Sequence, residues 1–334
     1  MKKLWISLII LLTVTLLYAT SYAKEVEYKW DMANEYAETS VHAEADKMFI
    51  KTLEELSEGR IKIAYHPGAS LGYKSKDQWD AVGDGAIPLA NTIMGPLRGI
   101  DPIFLLSSLP FVTSTVEQSR IMLEKVARPY YDKILRDNNQ IFLYASPWPP
   151  SGLWSKNPVK SIADIKKLKV RTYDPNGTIT FKAAGSAPIQ LSWADVVPQL
   201  STGGINSVLT SAEGGCNVNY WDFLTDFTEI NYCSPLDMAH MNANIFNDLP
   251  KDLQEAVLKA ADVANNFAWK NVQARVAKNY KEMADHNIAI NTDISSELSN
   301  HLSKSAQVAV DEWLKKMGPE GHKILNQFKA AMNK

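Results

Sequence analysis

The sequence predicts an α/β protein built in two lobes, and three observations carry that prediction. Short alternating apolar stretches take turns with helical ones from residue 26 to about residue 245, a β-α alternation that implies a mostly parallel sheet with helices on both faces. Without a leader, about 310 residues remain, long for one core. The stretch Ser146-Pro147-Trp148-Pro149-Pro150-Ser151-Gly152-Leu153-Trp154 packs three prolines and two tryptophans into nine positions. Prolines that dense do not sit in a central strand, so this reads as a stiff edge or connector, and the lobe boundary falls here.

Met1 is followed by Lys2 and Lys3, an apolar-rich run over 4–17, and small residues at Ser21 and Ala23. That is a secretory leader, residues 1–23, cut after Ala23. The competing reading, a membrane anchor, fails on length, and nothing later approaches about 18 consecutive apolar residues. The formal net charge of −2 becomes −4 once Lys2 and Lys3 leave with the leader. Mild acidity of this kind gives no footprint for nucleic acid or for an anionic membrane surface.

The first strand spans 26–32 and runs out into Asn34, Glu35 and Tyr36; a helix over 41–57 carries Ala45, Met48, Phe49, Leu53 and Leu56 at helical spacing and closes on Gly59. A second strand (60–65), a helix (74–82), a third strand with Asn91 (87–93), a helix (113–136) and a fourth strand (140–146) lead to the Pro-Trp stretch. Beyond it, Ser161-Ile162-Ala163-Asp164 opens a helix. Then comes Leu168-Lys169-Val170-Arg171-Thr172-Tyr173-Asp174-Pro175-Asn176-Gly177, whose first half alternates as a short strand and whose last four residues are turn chemistry before a helix over 178–184. Arg171 thus sits at the carboxyl end of a strand in a strand-turn-helix unit, where open α/β sheets bind ligands. A guanidinium there offers a planar fork of donors for a carboxylate or sulfonate. The bland alternative is a solvated surface ion pair.

A short strand over 188–191 is followed by Ser192, which reads as a helix cap holding Trp193 at the first turn, beside the strand ends. A strand over 205–209 runs into Thr210-Ser211-Ala212-Glu213, and another covers 238–245. From Asp248 to His286 helical spacing continues without proline or glycine after Pro250, one helix of about 35 residues and on the order of 50 Å, longer than a single lobe. Helices over 295–317 and 321–332 finish the chain.

Cys216 and Cys233 in an exported chain read first as a disulfide, with a model stabilisation of about 3 kcal/mol; two unpaired core thiols are the alternative. The histidines and cysteines show no metal-ligand spacing and no glycine-rich phosphate loop follows a strand, so neither metal nor cofactor is expected. Gly68-Ala69-Ser70-Leu71-Gly72 matches a nucleophile-elbow pattern and keeps a secreted serine hydrolase using Ser70 as the alternative function, although Pro67 and the early position do not suit that fold. His240 reads as a satisfied core group. Polar and aromatic groups at several strand ends, two lobes and no catalytic constellation describe a binding protein better than an enzyme.

Leu168-Lys169-Val170-Arg171, Ser161 to Asp164, Pro188 to Trp193 with Asp195-Val196, Leu200-Ser201-Thr202-Gly203, Gly59-Arg60-Ile61-Lys62-Ile63, Leu71-Gly72 and Leu109-Pro110-Phe111 resemble the TRAP transporter periplasmic solute-binding proteins of the DctP family. The similarity covers essentially the whole chain after the leader. It implies a two-lobed periplasmic-binding-protein-like fold with mixed sheets flanked by helices and the long helix spanning both lobes. Lobe 1 would comprise 24–148 with about 236–274, and lobe 2 would comprise 149–235 with about 275–334. It further implies that Arg171 pairs with the carboxylate of an organic acid and that Trp193 packs on the ligand. The closed, loaded protein would deliver its ligand to the small and large membrane subunits of a permease. Asn34, Glu35, Tyr36, Asn91, Trp148, Ser151, Trp154, Thr210, Ser211 and Glu213 complete the expected ligand set. The chain departs from relatives in having Ser151 where sialic-acid binders place a second arginine, in Gly203, and in Val208-Leu209-Thr210. These departures count against a dicarboxylate or a sugar acid and favour a compact monoanion, a carboxylate or a sulfonate such as isethionate. A monomer is expected, with a homodimer left open.

Overall fold

The alternation of strands and helices builds two sheets. The computed structural model describes residues 25–333; the expected leader lies outside them. In chain order the elements are β1 (Tyr28–Asn34), α1 (Val41–Leu56), β2 (Ile61–His66), α2 (Ser75–Gly83), β3 (Leu89–Ile93), α3 (Val116–Met122), α4 (Arg128–Asp137) and β4 (Gln140–Pro147). They continue with β5 (Ser151–Ser155), α5 (Ile162–Ile165), β6 (Lys169–Thr172), α6 (Pro175–Ala183), β7 (Ala187–Gln190), α7 (Val196–Ser201), β8 (Ser207–Ser211), α8 (Ala212–Asn217), β9 (Asp226–Thr228) and β10 (Leu236–Asn242). Last come α9 (Ala243–Asn247), α10 (Lys251–Asp285), β11 (Ala289–Asn291), α11 (Ser296–Met317) and α12 (Pro319–Met332).

The first sheet has the order β2-β1-β3-β10-β4 and the second β11-β9-β5-β8-β6-β7. Neither is purely parallel. β10 runs antiparallel to both neighbours in the first sheet, and β5 does so in the second. These two strands are the ones the chain enters by passing directly from the other sheet, β4 to β5 and β9 to β10. A strand reached without a helical crossover is not bound to run parallel.

The Pro-Trp stretch is therefore two things. Pro147 ends β4, an edge strand, and Pro149 and Pro150 lie between the sheets, as proline density requires. Residues 151–155, expected as edge or connector, instead form β5, buried throughout and flanked by β8 and β9.

The expected disulfide is absent. Cys216 and Cys233 are both free and buried. Cys233 packs with Leu153, Tyr173 and Phe181, whereas Cys216 sits in another cluster with Trp154, Tyr220 and Met283, so separate cores hold the two thiols apart. Burial pushes the Cys216 thiol up to about 12. His240 is the satisfied core group expected, its ring bonded to Gln140 and Thr92.

Helix α10 has the expected length, 35 residues, or about 52 Å. Its first half lays Ala256, Ala260, Ala261, Ala264 and Ala268 into the core formed by α1 and the first sheet, small side chains that let the helices approach closely. Its second half brings Tyr280 and Met283 to the core under the second sheet. Helix α11 begins against the second sheet through Leu298 and Leu302, then with α12 returns to the first through Trp313, Ile324 and Phe328. No helix among the described residues is long and apolar enough to cross a membrane.

Candidate functional site

The helix of the strand-turn-helix unit begins at Pro175, three residues earlier than its composition indicates. Asp174 is the N-cap of α6, accepting the Gly177 N–H at 3.0 Å, and Pro175 fills the first helical position. The residues read as a turn are the cap and first turn of the helix. Arg171 stands just before it on β6 and is only 4% exposed. Its Nε donates to the Leu191 carbonyl at 3.1 Å, and the guanidinium lies 5.6 Å from the Trp193 ring and 5.9 Å from that of Tyr173. No carboxylate of the described residues lies within ion-pair distance of it. A buried cation without a counter-charge is costly, and here its remaining donors are left for something other than the protein.

What they face is a small cavity of about 20 Å³ between the sheets. Tyr36, Trp148, Tyr173 and Trp193 wall it with aromatic rings, Ile93 and Pro235 add apolar surface, and Arg171, Ser151, Thr210 and Ser211 supply the polar groups. The rings brace one another: Tyr36 meets Trp148 edge-on at 4.7 Å and Trp193 at 5.7 Å. Trp148 is fixed from behind by donating its indole N–H to Asp237 Oδ1 at 2.8 Å. The Tyr173 hydroxyl lies 3.1 Å from Cys233 Sγ and 3.5 Å from Ser151 Oγ. Ser211 Oγ is spent capping α8, accepting the Gly214 N–H, while Thr210 Oγ1 has no partner among the described residues. A Cβ on Gly214 would fall 2.4 Å from that hydroxyl oxygen, so glycine there leaves Thr210 its place. Tyr36, Arg171, Tyr173 and Trp193 also border a wider outer opening of about 680 Å³, together with Glu35, Lys74 and Arg98.

Seven of the residues expected from sequence thus converge: Tyr36, Trp148, Ser151, Arg171, Trp193, Thr210 and Ser211. Four others face elsewhere. Asn34 and Asn91 donate to the buried Asp46 carboxylate at 2.7 and 2.6 Å, which also receives the hydroxyls of Tyr144 and Tyr65. Trp154 is core, its indole N–H on the Ser211 carbonyl. Glu213 accepts the Val41 N–H at the start of α1 at 2.9 Å and faces Arg275 of α10 at 3.5 Å, tying three helices together. Glu35 stands at the outer opening with both oxygens already engaged, one by Ser75 N–H and hydroxyl, the other by the Trp193 N–H. Tyr173, Ile93 and Pro235 were not expected. Tyr173 lies one residue past the end of β6, two after Arg171.

Ser192 does not cap an N–H; its hydroxyl bonds the Asp195 carboxylate, and Trp193 begins a single turn of 3-10 helix. His42, its ring 4.0 Å from that of Trp148 and tilted against it, is held neutral, burial pushing it down to about 3. Burial pushes Asp174 up to about 6, and its Oδ2 has no partner. A Cβ on Gly95, just after β3, would lie 2.7 Å from that oxygen, so a glycine lets the first sheet's turn approach this close. Ser70 is exposed on the turn after β2, with its N–H on the Pro67 carbonyl.

The DctP family model, bacterial extracellular solute-binding protein, family 7, matches residues 32–326. Among solved structures, a Bordetella pertussis extracytoplasmic solute receptor binding pyroglutamic acid superposes with a TM-score of 0.86 at 26% identity, covering 90% of this chain and 99% of that one. A TRAP solute-binding protein specific for pyroglutamate, from an unidentified marine microbe and carrying co-purified pyroglutamate, gives 0.86 at 25% identity over 90% and 98%. The 2,3-diketo-L-gulonate-binding periplasmic protein of Escherichia coli (strain K12) is 24% identical over 263 residues, 78% of this chain and 80% of that protein.

Proposed function

The chain belongs to the DctP family of bacterial extracellular solute-binding proteins, and from that premise we propose that it is the periplasmic receptor of a TRAP-type transporter, closing over one small organic acid anion and handing it to the permease's membrane subunits. The observation that carries this reading is the buried Arg171 guanidinium, without a counter-ion, in an aromatic cavity. In such a site an anion gains charge-assisted hydrogen bonds in a dry environment, and Arg171 takes the acid group. The small volume and the single cation lining it support a compact monoanion, such as the pyroglutamate that two similar receptors bind. Ser151 and Thr210 then read its polar end, and Trp193 and Trp148 cover its faces.

In this reading each lobe is one sheet with its helices, and the packing of Ile324 and Phe328 of α12 on the core beside the first sheet favours counting that helix with the first lobe. The matched relatives are binding proteins, which favours a receptor over a hydrolase at Ser70. The periplasmic relative named above and the leader expected from the sequence support export to the periplasm.

A thermal-shift panel of pyroglutamate, lactate, isethionate and gulonate on the protein without its leader tests the reading. A bound acid at about 100 times its dissociation constant adds about 2.7 kcal/mol of stability. Arg171→Ala should lose about 2–5 kcal/mol of affinity, because the anion is then enclosed unpaired. A shift that survives intact in the variant refutes the role of Arg171.

A further inference from the structure

Glu35 was expected to touch ligand, yet its carboxylate is fully engaged by protein. On one side Oε2 holds Ser75, the first residue of α2, through both N–H and hydroxyl, which anchors Glu35 to the first sheet. On the other, Oε1 accepts the backbone N–H of Trp193 at 3.2 Å, and Trp193 follows β7 of the second sheet. The residue is 5% exposed, so this charge-assisted bond is little screened. Beside it Lys74 pairs with Asp195 at 3.1 Å across the same gap, but those side chains are 45% and 49% exposed, where an ion pair contributes little. The backbone that Glu35 grips carries the ring that stands over Arg171 and against Tyr36.

We propose that Glu35 is the latch of the closed state: a positioning residue that acts through the Trp193 backbone, fixes that ring over the bound anion, and slows ligand escape without contacting the ligand. The inference rests on the receptor reading above, in which the two sheets part to release solute. When they part, Glu35 keeps its bonds to Ser75 and loses only the one to Trp193. Its effect therefore falls on dissociation rather than on encounter.

Stopped-flow kinetics on the full mature chain test it, using whichever acid of the panel stabilises the parent. Glu35→Ala should raise koff about 10- to 100-fold, the loss of a hydrogen bond to a charged group, with kon within about twofold of the parent. Glu35→Gln has one acceptor oxygen where the carboxylate has two, so the N–H of Ser75 or of Trp193 loses its acceptor; it falls between, and its near-isosteric shape guards against a folding defect. Lys74→Ala should change koff less than about twofold. An unchanged koff in Glu35→Ala overturns the latch, as does a loss confined to kon, which would place Glu35 in the open site. A parent that responds to no acid of the panel overturns the receptor reading and the latch with it; a responding parent matched by Glu35→Ala overturns the latch alone.

Discussion

Among the buried ionisable side chains, Asp46 and Arg171 stand on opposite sides of the cleft, and the protein treats them differently. Asp46, on α1 under the first sheet, is fully enclosed, and four donors from four elements or connections converge on it: Asn34, Asn91, Tyr65 and Tyr144. Burial pushes its carboxyl up and those hydrogen bonds pull it back. Arg171, in the second sheet, has one bond to a carbonyl and faces two aromatic rings. A satisfied buried charge belongs to the fold; one left with open donors belongs to whatever arrives. Polarity and burial alone do not separate the two roles. The hydrogen-bond inventory does.

The sharpest way to break this contrast is at Asp46. Asp46→Ala should strand four donors and cost about 3–5 kcal/mol of stability by urea unfolding, while affinity for the solute stays within about threefold. Arg171→Ala should do the reverse, losing affinity with a stability change below about 1 kcal/mol. If Asp46→Ala abolishes binding in a protein that is still folded, the assignment of structural and functional charges is wrong.

Asp174 lies between these extremes, with one oxygen capping α6 and one unsatisfied. Its folded pKa is raised from 3.8 to about 6, so the folded state holds the proton more tightly than the unfolded chain. The stability this contributes is fully present below about pH 4 and is lost as pH rises through about 6, a change of about 3 kcal/mol. Asp174→Asn keeps a good cap and cannot ionise. The parent should therefore lose stability relative to the variant between pH 4 and 7; parallel melting curves across that range would show that Asp174 does not titrate there. The smallest effect belongs to Thr210. Thr210→Val keeps the shape and removes an unpartnered hydroxyl, and calorimetry should show about 0.5–1.5 kcal/mol less affinity with unchanged stability.

Much of this arrangement was legible in the sequence because it depends on local pattern. Arg171 at a strand end and Trp193 two residues past the next strand follow from alternation and turn chemistry. The long helix follows from the lack of glycine or proline across it. What was not legible depends on distant partners. Asn34 and Asn91 stand on strands of the cleft and read as ligand contacts, but the acceptor they serve is on a helix, 12 and 45 positions away. Two cysteines in an exported chain suggest a bridge, but their spacing says nothing about the separate clusters that hold them. Tyr173 was hidden because a tyrosine before Asp-Pro reads as the start of a turn; it lies just past β6, yet its ring joins the same wall as Arg171.

Helix α10 has a mechanical consequence. Its first half is embedded in the core beneath one sheet and its second half in the core beneath the other, with no proline or glycine to interrupt it. A hydrogen-bonded rod clamped at both ends resists stretching far more than bending. On the receptor reading, the two halves of the molecule are joined like leaves on a common spine that lets them swing and resists their sliding apart. A single angle then describes how far the protein has closed, and any surface that grips both halves at once senses that angle, whichever solute lies inside.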